Sequence, residues 1–307
     1  MRRLAVAAVV AQGGIAVTGS VVRVTGSGLG CPTWPECFPG SLVPAPHPEV
    51  AGLHQWIEFS NRLLTIAVVL VAGACLIAAF ATRPRRARLT RLAVVQPLGV
   101  VAQAVIGGFT VLTGLVWWSV SVHFLVSMVL VWLGMQLVDA ASDGDGPPRR
   151  TVPGAVRGLV ATSTVVFAAL LAAGTLVTAA GPHAGDAATP RLGIGVPAAA
   201  QLHADLLFAY LGMLVALGFT VAAVHAPARL RRRYVALIVA VVAQGALGGI
   251  QYALGVPEAL VSLHVLGAAL VTVAAAALWS ATTERPQAVS AATPAPSEPQ
   301  PALADLN

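Results

Sequence analysis

Three histidines lie inside apolar segments of the chain, where an ionisable side chain is costly and by default indicates a functional site. They are His123, His203 and His264, and each falls near one end of a predicted membrane helix. Neutral imidazole nitrogens are good ligands for iron and other transition metals. A single membrane histidine often only hydrogen-bonds a neighbouring helix, so the arrangement of the three must decide between ligation and packing.

An internal repeat relates two of these histidines. Residues 100–123 and 241–264 align without a gap at a constant offset of 141, and ten of the 24 positions are identical. Both copies contain a glutamine, a pair of glycines and a final histidine in register. The chain is therefore predicted to have two similar halves, in which His123 and His264 are equivalent.

The repeat also locates a second position in each half. His203 lies 61 residues before His264, and the residue 62 positions before His123 is Asn61. The C-terminal half thus offers two imidazoles from different helices at similar depth, which suits the two axial positions of a haem iron. Zinc is disfavoured because no third ligand accompanies the pair. The N-terminal half offers one histidine and an asparagine.

Two further side chains are predicted to lie on the same helix face as Asn61. Glu58 precedes it by three residues and would point towards a bound group, although a carboxylate at a helix start is also favourable against the helix dipole. His54 precedes Asn61 by seven residues and would share its face if the helix began early, as a replacement ligand.

The composition indicates an integral membrane protein. Hydrophobic residues make up 57% of the chain, charged residues 10%, and the mean hydropathy is +0.82. The net charge of +6 does not indicate nucleic acid, because the arginines occur in short clusters between apolar spans. Eight helices are predicted, at about 4–24, 58–82, 92–115, a fourth that follows Trp118 and ends near 140, 158–180, 198–223, 234–254 and 257–280.

The arginine clusters predict the orientation of these helices. All 18 basic residues are arginine, and only Arg23, Arg62 and Arg191 fall on the side opposite the N-terminus. Both termini are therefore expected in the cytoplasm of a bacterium. The predicted fold is an all-α membrane protein of two parallel four-helix-bundle repeats. Its parts are an N-terminal half (1–140), a linker (141–157), a C-terminal half (158–281) and a disordered tail (282–307).

Charged and sulfur-bearing side chains near the outer ends could contribute to a site. Arg62, and less so Arg23, could pair with carboxylates such as haem propionates or simply extend to the membrane surface. Cys31 and Cys37 lie in an outer loop that faces an oxidising compartment, so a disulfide is expected. Their spacing is not a CxxC redox motif, and both a structural clip and a redox-active pair remain open.

The chain resembles the haem A synthase family, which converts haem O into haem A for terminal oxidases. The resemblance covers all eight predicted helices and rests on RVTGSGLGCPTWPEC, IEFSNR, the QxxxGG segments, GPHAGD and the three membrane histidines. It implies that His203 and His264 bind a haem b, that His123 binds the substrate haem O, and that Glu58 is catalytic. The cysteine pair resembles that of a bacterial subgroup with a loop disulfide. Asn61 departs from the E-x-x-H-R pattern of the family.

The resemblance implies oxidation of the C8 methyl group of haem O to a formyl group. Expected partners are the lipid bilayer, haem O synthase and oxidase assembly factors, with an electron donor that the sequence does not identify. A membrane di-haem electron-transfer protein of the cytochrome b type is the alternative, but it needs two ligands in each half. A transporter built from parallel repeats would bind no chromophore, and the lack of an Asp-rich motif disfavours prenyl transfer.

Overall fold

Eight helices make up almost all of the structure, a computed structural model that describes residues 1–286. Each contains 23 to 30 residues and is apolar enough to cross a membrane. At 1.5 Å per residue the helices are about 35 to 45 Å long, which exceeds the ~30 Å hydrocarbon layer of a bilayer. The predicted all-α fold with eight candidate membrane helices is confirmed. The helices are α1 (Arg2–Val24), α2 (Gly52–Ala81), α3 (Ala87–Leu112), α4 (Trp117–Ser142), α5 (Gly154–Ala180), α6 (Val196–Ala223), α7 (Ala228–Ala253) and α8 (Glu258–Ala281).

Several helices begin earlier than their apolar segments. α2 begins at Gly52 rather than Glu58, and α7 begins at Ala228 rather than Tyr234. Hydropathy marks only the part of a helix that lies in an apolar environment, whereas backbone hydrogen bonding continues through the polar first turns. The early start of α2 brings both Glu58 and His54 onto the helix.

The first four helices form a closed ring, since each packs against the next and α4 packs against α1. In the second set α5 packs on α6 and α7 packs on α8, while contacts between these two pairs are sparse. α8 also packs against α1 and α4, where Gln136 donates to the Ala276 carbonyl at 3.0 Å and Ser280 donates to Gln136 at 2.9 Å. Such bonds between helices fix their register in an apolar interior.

One end of the bundle, called the arginine end below, contains an ion-pair network. Asp139 on α4 is only 3% exposed and accepts hydrogen bonds from Arg229, at 2.9 Å, and from Arg233 on α7. Arg229 also bonds Asp143 at 3.1 Å. A buried carboxylate needs such partners, so these charges tie α4 to α7.

A short strand pair lies at the same end. β1 (Arg149–Arg150) pairs antiparallel with β2 (Thr283–Glu284), with Arg149 opposite Glu284. The predicted linker therefore contains a strand, and the segment predicted as a disordered tail starts with ordered residues. The remainder of that predicted tail, residues 287–307, lies outside the described part of the chain.

The opposite end, called the disulfide end below, carries the α1–α2 loop (25–51) and the α5–α6 loop (181–195). The Gly28 N–H donates to the Gly185 carbonyl at 2.8 Å, which joins the two loops. His183 Nε2 donates to the Val256 carbonyl at 2.9 Å in the turn before α8. Loops from both parts of the sequence therefore form one continuous layer over this end.

Candidate functional site

The structure brings the imidazole rings of His203 and His264 close together. The ring centroids lie 6.4 Å apart with an angle of 65° between the ring planes. Metal–imidazole bonds are about 2 Å long and the nitrogen lies about 1 Å from the ring centroid, so two axial imidazoles on one iron have centroids roughly 6 Å apart. The pair therefore has the separation that axial ligation of a haem iron requires.

Hydrogen bonding prepares one imidazole of the pair for ligation. Nδ1 of His203 lies 3.0 Å from the Leu170 carbonyl, which can only accept, so Nδ1 carries the proton. Nε2 is then the basic nitrogen, and the bond fixes the orientation of the ring, which is how metal-binding histidines are commonly held. The buried Nδ1 of His264 makes no hydrogen bond within residues 1–286, which leaves this ring held by packing alone.

Glycines on neighbouring helices make room for the histidine rings. A Cβ atom at Gly174 would lie 3.0 Å from Cε1 of His203, and one at Gly248 would lie 3.0 Å from Cε1 of His264. Gly107 has the same relation to His123, at 3.1 Å. One glycine of each repeated pair is therefore part of a histidine site.

The repeated glutamines also belong to these sites. Gln244 donates to the backbone carbonyl of His264 at 2.8 Å, and Gln103 donates to that of His123 at 3.1 Å. Each bond links the histidine helix to the preceding helix at the level of the ring. The glutamines were conspicuous in the repeat, but nothing in the sequence indicated which atoms they bind.

Asn61 lies against α1 as His203 lies against α5. A Cβ atom at Gly19 would lie 4.0 Å from Asn61 Nδ2, so a glycine again faces the side chain. Thr18 donates to Asn61 Oδ1 at 2.7 Å, which ties the amide to α1. Asn61 thus lies opposite a glycine of the preceding helix, as His203 does, but its amide is bound to a threonine.

Glu58 is buried, only 5% exposed, beneath the α1–α2 loop. Its Oε2 accepts the Cys31 N–H at 2.7 Å, and its Oε1 accepts Nη2 of Arg62 at 2.6 Å and Nε at 3.1 Å. Charge-assisted bonds of this kind are about twice as strong as neutral ones. The carboxylate is therefore fixed between α2 and the loop.

Arg62 has no free N–H donor. Besides the two bonds to Glu58, it donates to the carbonyls of Cys31 at 2.6 Å, Thr33 at 3.0 Å and Glu36 at 3.2 Å. A guanidinium has five N–H donors, so none remains for a propionate. Arg62 instead holds the loop that the Cys31–Cys37 disulfide closes, and this predicted disulfide is confirmed.

Arg23 and His54 lie at the same end with different partners. Arg23 donates to the His183 carbonyl and meets no carboxylate in the described chain, so its other donors remain available. His54 lies in the first turn of α2, where its Nδ1 bonds Ser27 Oγ at 3.0 Å. The hydrogen bonding thus favours Arg23 over Arg62 as a partner for a bound carboxylate.

Eight helices long and apolar enough to span a membrane indicate a multi-pass membrane protein, and two of them bring a pair of imidazoles together. Residues 2–193 match the model of the COX15-CtaA family, described as a cytochrome oxidase assembly protein, and the chain belongs to this family. It is 29% identical over 101 residues, 33% of the chain, to a heme A synthase of Geobacillus kaustophilus. It is 30% identical over 56 residues, 18% of the chain, to a heme A synthase of Geobacillus thermodenitrificans. These matches cover 30% and 16% of the length of the two relatives.

Proposed function

We propose that this protein converts haem O into haem A by oxidising the C8 methyl group to a formyl group. The proposal rests on family membership and on one observation: the two histidine sites differ in the number of imidazoles that they contain. One site has two imidazoles with their centroids 6.4 Å apart, and the other has one imidazole and an asparagine. A pair suits a resident cofactor, whereas a single ligand suits a substrate that must enter, react and leave.

In this proposal the C-terminal half holds haem b through His203 and His264. When bound there, the haem would transfer single electrons, since two axial imidazoles leave its iron no open position. The Leu170 carbonyl keeps the His203 proton on Nδ1. The lack of a side chain at Gly174 and Gly248 leaves room for the two rings between the helices. The sparse packing between the α5–α6 and α7–α8 pairs leaves space for a flat macrocycle.

The N-terminal half then holds haem O through His123, with Glu58 as the catalytic carboxylate. The Cys31 N–H and Arg62 fix both carboxylate oxygens, so Glu58 would hold or move a proton at a defined place. Arg23 would bind a propionate with the donors that His183 does not use. Arg62 would act indirectly, by positioning Glu58 and the loop.

We also propose the arrangement of the protein in its membrane. The two halves are parallel four-helix repeats, both termini are cytoplasmic, and the disulfide end faces the outside of a bacterial plasma membrane. The placement of the arginine clusters and the repeated Gln–Gly–His contacts support this view. Haem O would arrive from the bilayer or from haem O synthase, and haem A would pass to oxidase assembly factors.

Pigment analysis of the purified protein tests the proposal. We expect a bis-imidazole haem b spectrum together with extractable haem O and haem A. His264→Ala should lose haem b, whereas His225→Ala, at a helix end, should retain it. Glu58→Gln should retain haem b but make no haem A. A colourless protein would refute the proposal, and two bis-imidazole haems without haem A would favour the di-haem electron carrier.

A further inference from the structure

The two copies of the glycine pair differ at their second glycine. Gly107 and Gly248, the first glycines, both face a histidine ring. A Cβ atom at Gly249 would have no neighbour within 4 Å, but one at Gly108 would lie 2.5 Å from Cδ2 of Trp34 and 2.8 Å from Cγ and Cε2. The indole therefore rests directly on the α3 backbone in one half, and the other half has no counterpart among the described residues.

The loop that carries Trp34 is held on both sides of this residue. The Arg62 guanidinium binds the carbonyls of Thr33 and Glu36, which flank the Trp34–Pro35 pair. The Cys31–Cys37 disulfide closes the same segment. These restraints reduce the freedom of the loop and hold the indole against Gly108, at the level of the His123 ring on Gly107.

Consecutive residues on a helix point about 100° apart. The indole on Gly108 and the imidazole on Gly107 therefore lie on neighbouring faces of α3, side by side at the same depth. A flat macrocycle bound to His123 would extend sideways from the imidazole, towards the space that the indole borders. Trp34 is also 40% exposed, so one surface of the indole remains free for such a contact.

We propose that Trp34 is a positioning residue that covers the edge of the substrate haem and retains it in the N-terminal half. This inference rests on the proposed function. Indole offers a large apolar surface and stacks favourably on other π systems, so it suits a porphyrin edge. The disulfide and the Arg62 hydrogen bonds hold the loop in place, so the indole would slow the release of a haem that lies against it.

The glycine pairs provide a matched test. Gly108→Ala places a methyl group where the indole lies and must displace it, whereas Gly249→Ala meets open space. Haem O release from the purified full-length protein is followed optically with an excess of a haem-scavenging globin. We expect Gly108→Ala and Trp34→Ala to accelerate release about tenfold, Trp34→Phe to do so less, and Gly249→Ala to leave it unchanged.

Combining the variants separates a direct contact from general damage. Trp34→Ala with Gly108→Ala should release haem O no faster than Trp34→Ala alone, because the added methyl group then meets nothing. Unchanged haem b content in every variant shows that the fold is intact. Equal release from Gly108→Ala, Gly249→Ala and wild-type protein, or additive effects of the two changes, would overturn the role of Trp34.

The same measurements distinguish failure of the inference from failure of the proposed function. If His123→Ala binds and releases haem O as wild type does, the N-terminal half does not hold the substrate, and both conclusions fail. If His123→Ala loses haem O but the Trp34 variants release it at the wild-type rate, only the role of Trp34 fails.

Discussion

Asn61→His should turn the N-terminal site into a copy of the C-terminal one. Asn61 faces Gly19 on α1 as His203 faces Gly174 on α5. In the proposed N-terminal site, a histidine at this position would be the counterpart of His203 and would supply a second imidazole. We therefore expect the substrate haem to gain a second axial ligand and to lose the open position at which its chemistry begins.

The structure shows the space for the longer side chain and the hydrogen bond that the substitution removes. A Cβ at Gly19 would lie 4.0 Å from Asn61 Nδ2, against 3.0 Å between a Cβ at Gly174 and the His203 ring, so about 1 Å is left for the longer side chain. The substitution loses the Thr18 hydrogen bond of 2.7 Å, worth about 1 kcal/mol. If haem O release slows tenfold, the new iron bond contributes about 1.4 kcal/mol beyond this loss.

Spin state and pigment content report the outcome. Purified wild-type protein loaded with haem O should contain a low-spin haem b and a high-spin haem in the N-terminal half, measured by electron paramagnetic resonance and optical spectra. Asn61→His should convert the high-spin component to low spin. The ratio of haem A to haem O in extracted pigment should fall at least tenfold, since the reactive position is closed.

A second substitution controls for indirect effects. In the Asn61→His background, Gly19→Ala should crowd the new imidazole and restore part of the high-spin signal. The same Gly19→Ala change in the wild-type chain should alter the spectrum little, because Asn61 is shorter. The reasoning is refuted if Asn61→His leaves the spectrum unchanged, or if the wild-type protein contains only low-spin haem.

Three further outcomes follow from contacts elsewhere. Gly248→Ala should reduce haem b content by crowding the facing imidazole, and Gly249→Ala, which meets nothing, should not. Arg62→Lys should make the loop disulfide several-fold faster to reduce, as measured by thiol alkylation, because a lysine ammonium has three donors and cannot replace all five hydrogen bonds. Asp139→Asn should destabilise the fold by about 2 kcal/mol, seen as haem b loss at lower temperature, because it weakens a buried ion pair. The more exposed Asp145→Asn should cost less than about 1 kcal/mol.

The histidine pair could be predicted because helices and repeats have fixed periods. The length of each apolar span indicates how far a histidine lies from the helix end. The offset of the repeat indicates which position would face that histidine. The offset of the repeat also points to Asn61. The structure places Asn61 opposite a glycine, as it does His203. It also predicted that Glu58 lies on the helix that carries Asn61.

The contacts of the α1–α2 loop could not be predicted in this way. Its conformation depends on partners that are distant in sequence and follow no period. The position of Arg62 near a helix end predicts a propionate partner, but it does not reveal the five hydrogen bonds that the guanidinium already makes. The sequence does not single out Trp34, because an aromatic residue in a loop follows no period and its contact on another helix cannot be read from the sequence.

The differences between the two halves indicate which half would carry out the proposed oxidation. The Gln–Gly–His contacts are the same in both halves, so under the proposed function these shared contacts would serve only to hold a macrocycle. The N-terminal site alone replaces a histidine by Asn61, covers the second glycine with Trp34, and has a buried carboxylate at Glu58. Asn61 and Glu58 lie on α2, and Trp34 lies in the loop before it and packs on Gly108, next to the glycine that faces His123. A free ligand position, a cover over the bound group and a fixed carboxylate are needed together where a haem is altered and released, which supports the N-terminal half as the place of the proposed chemistry.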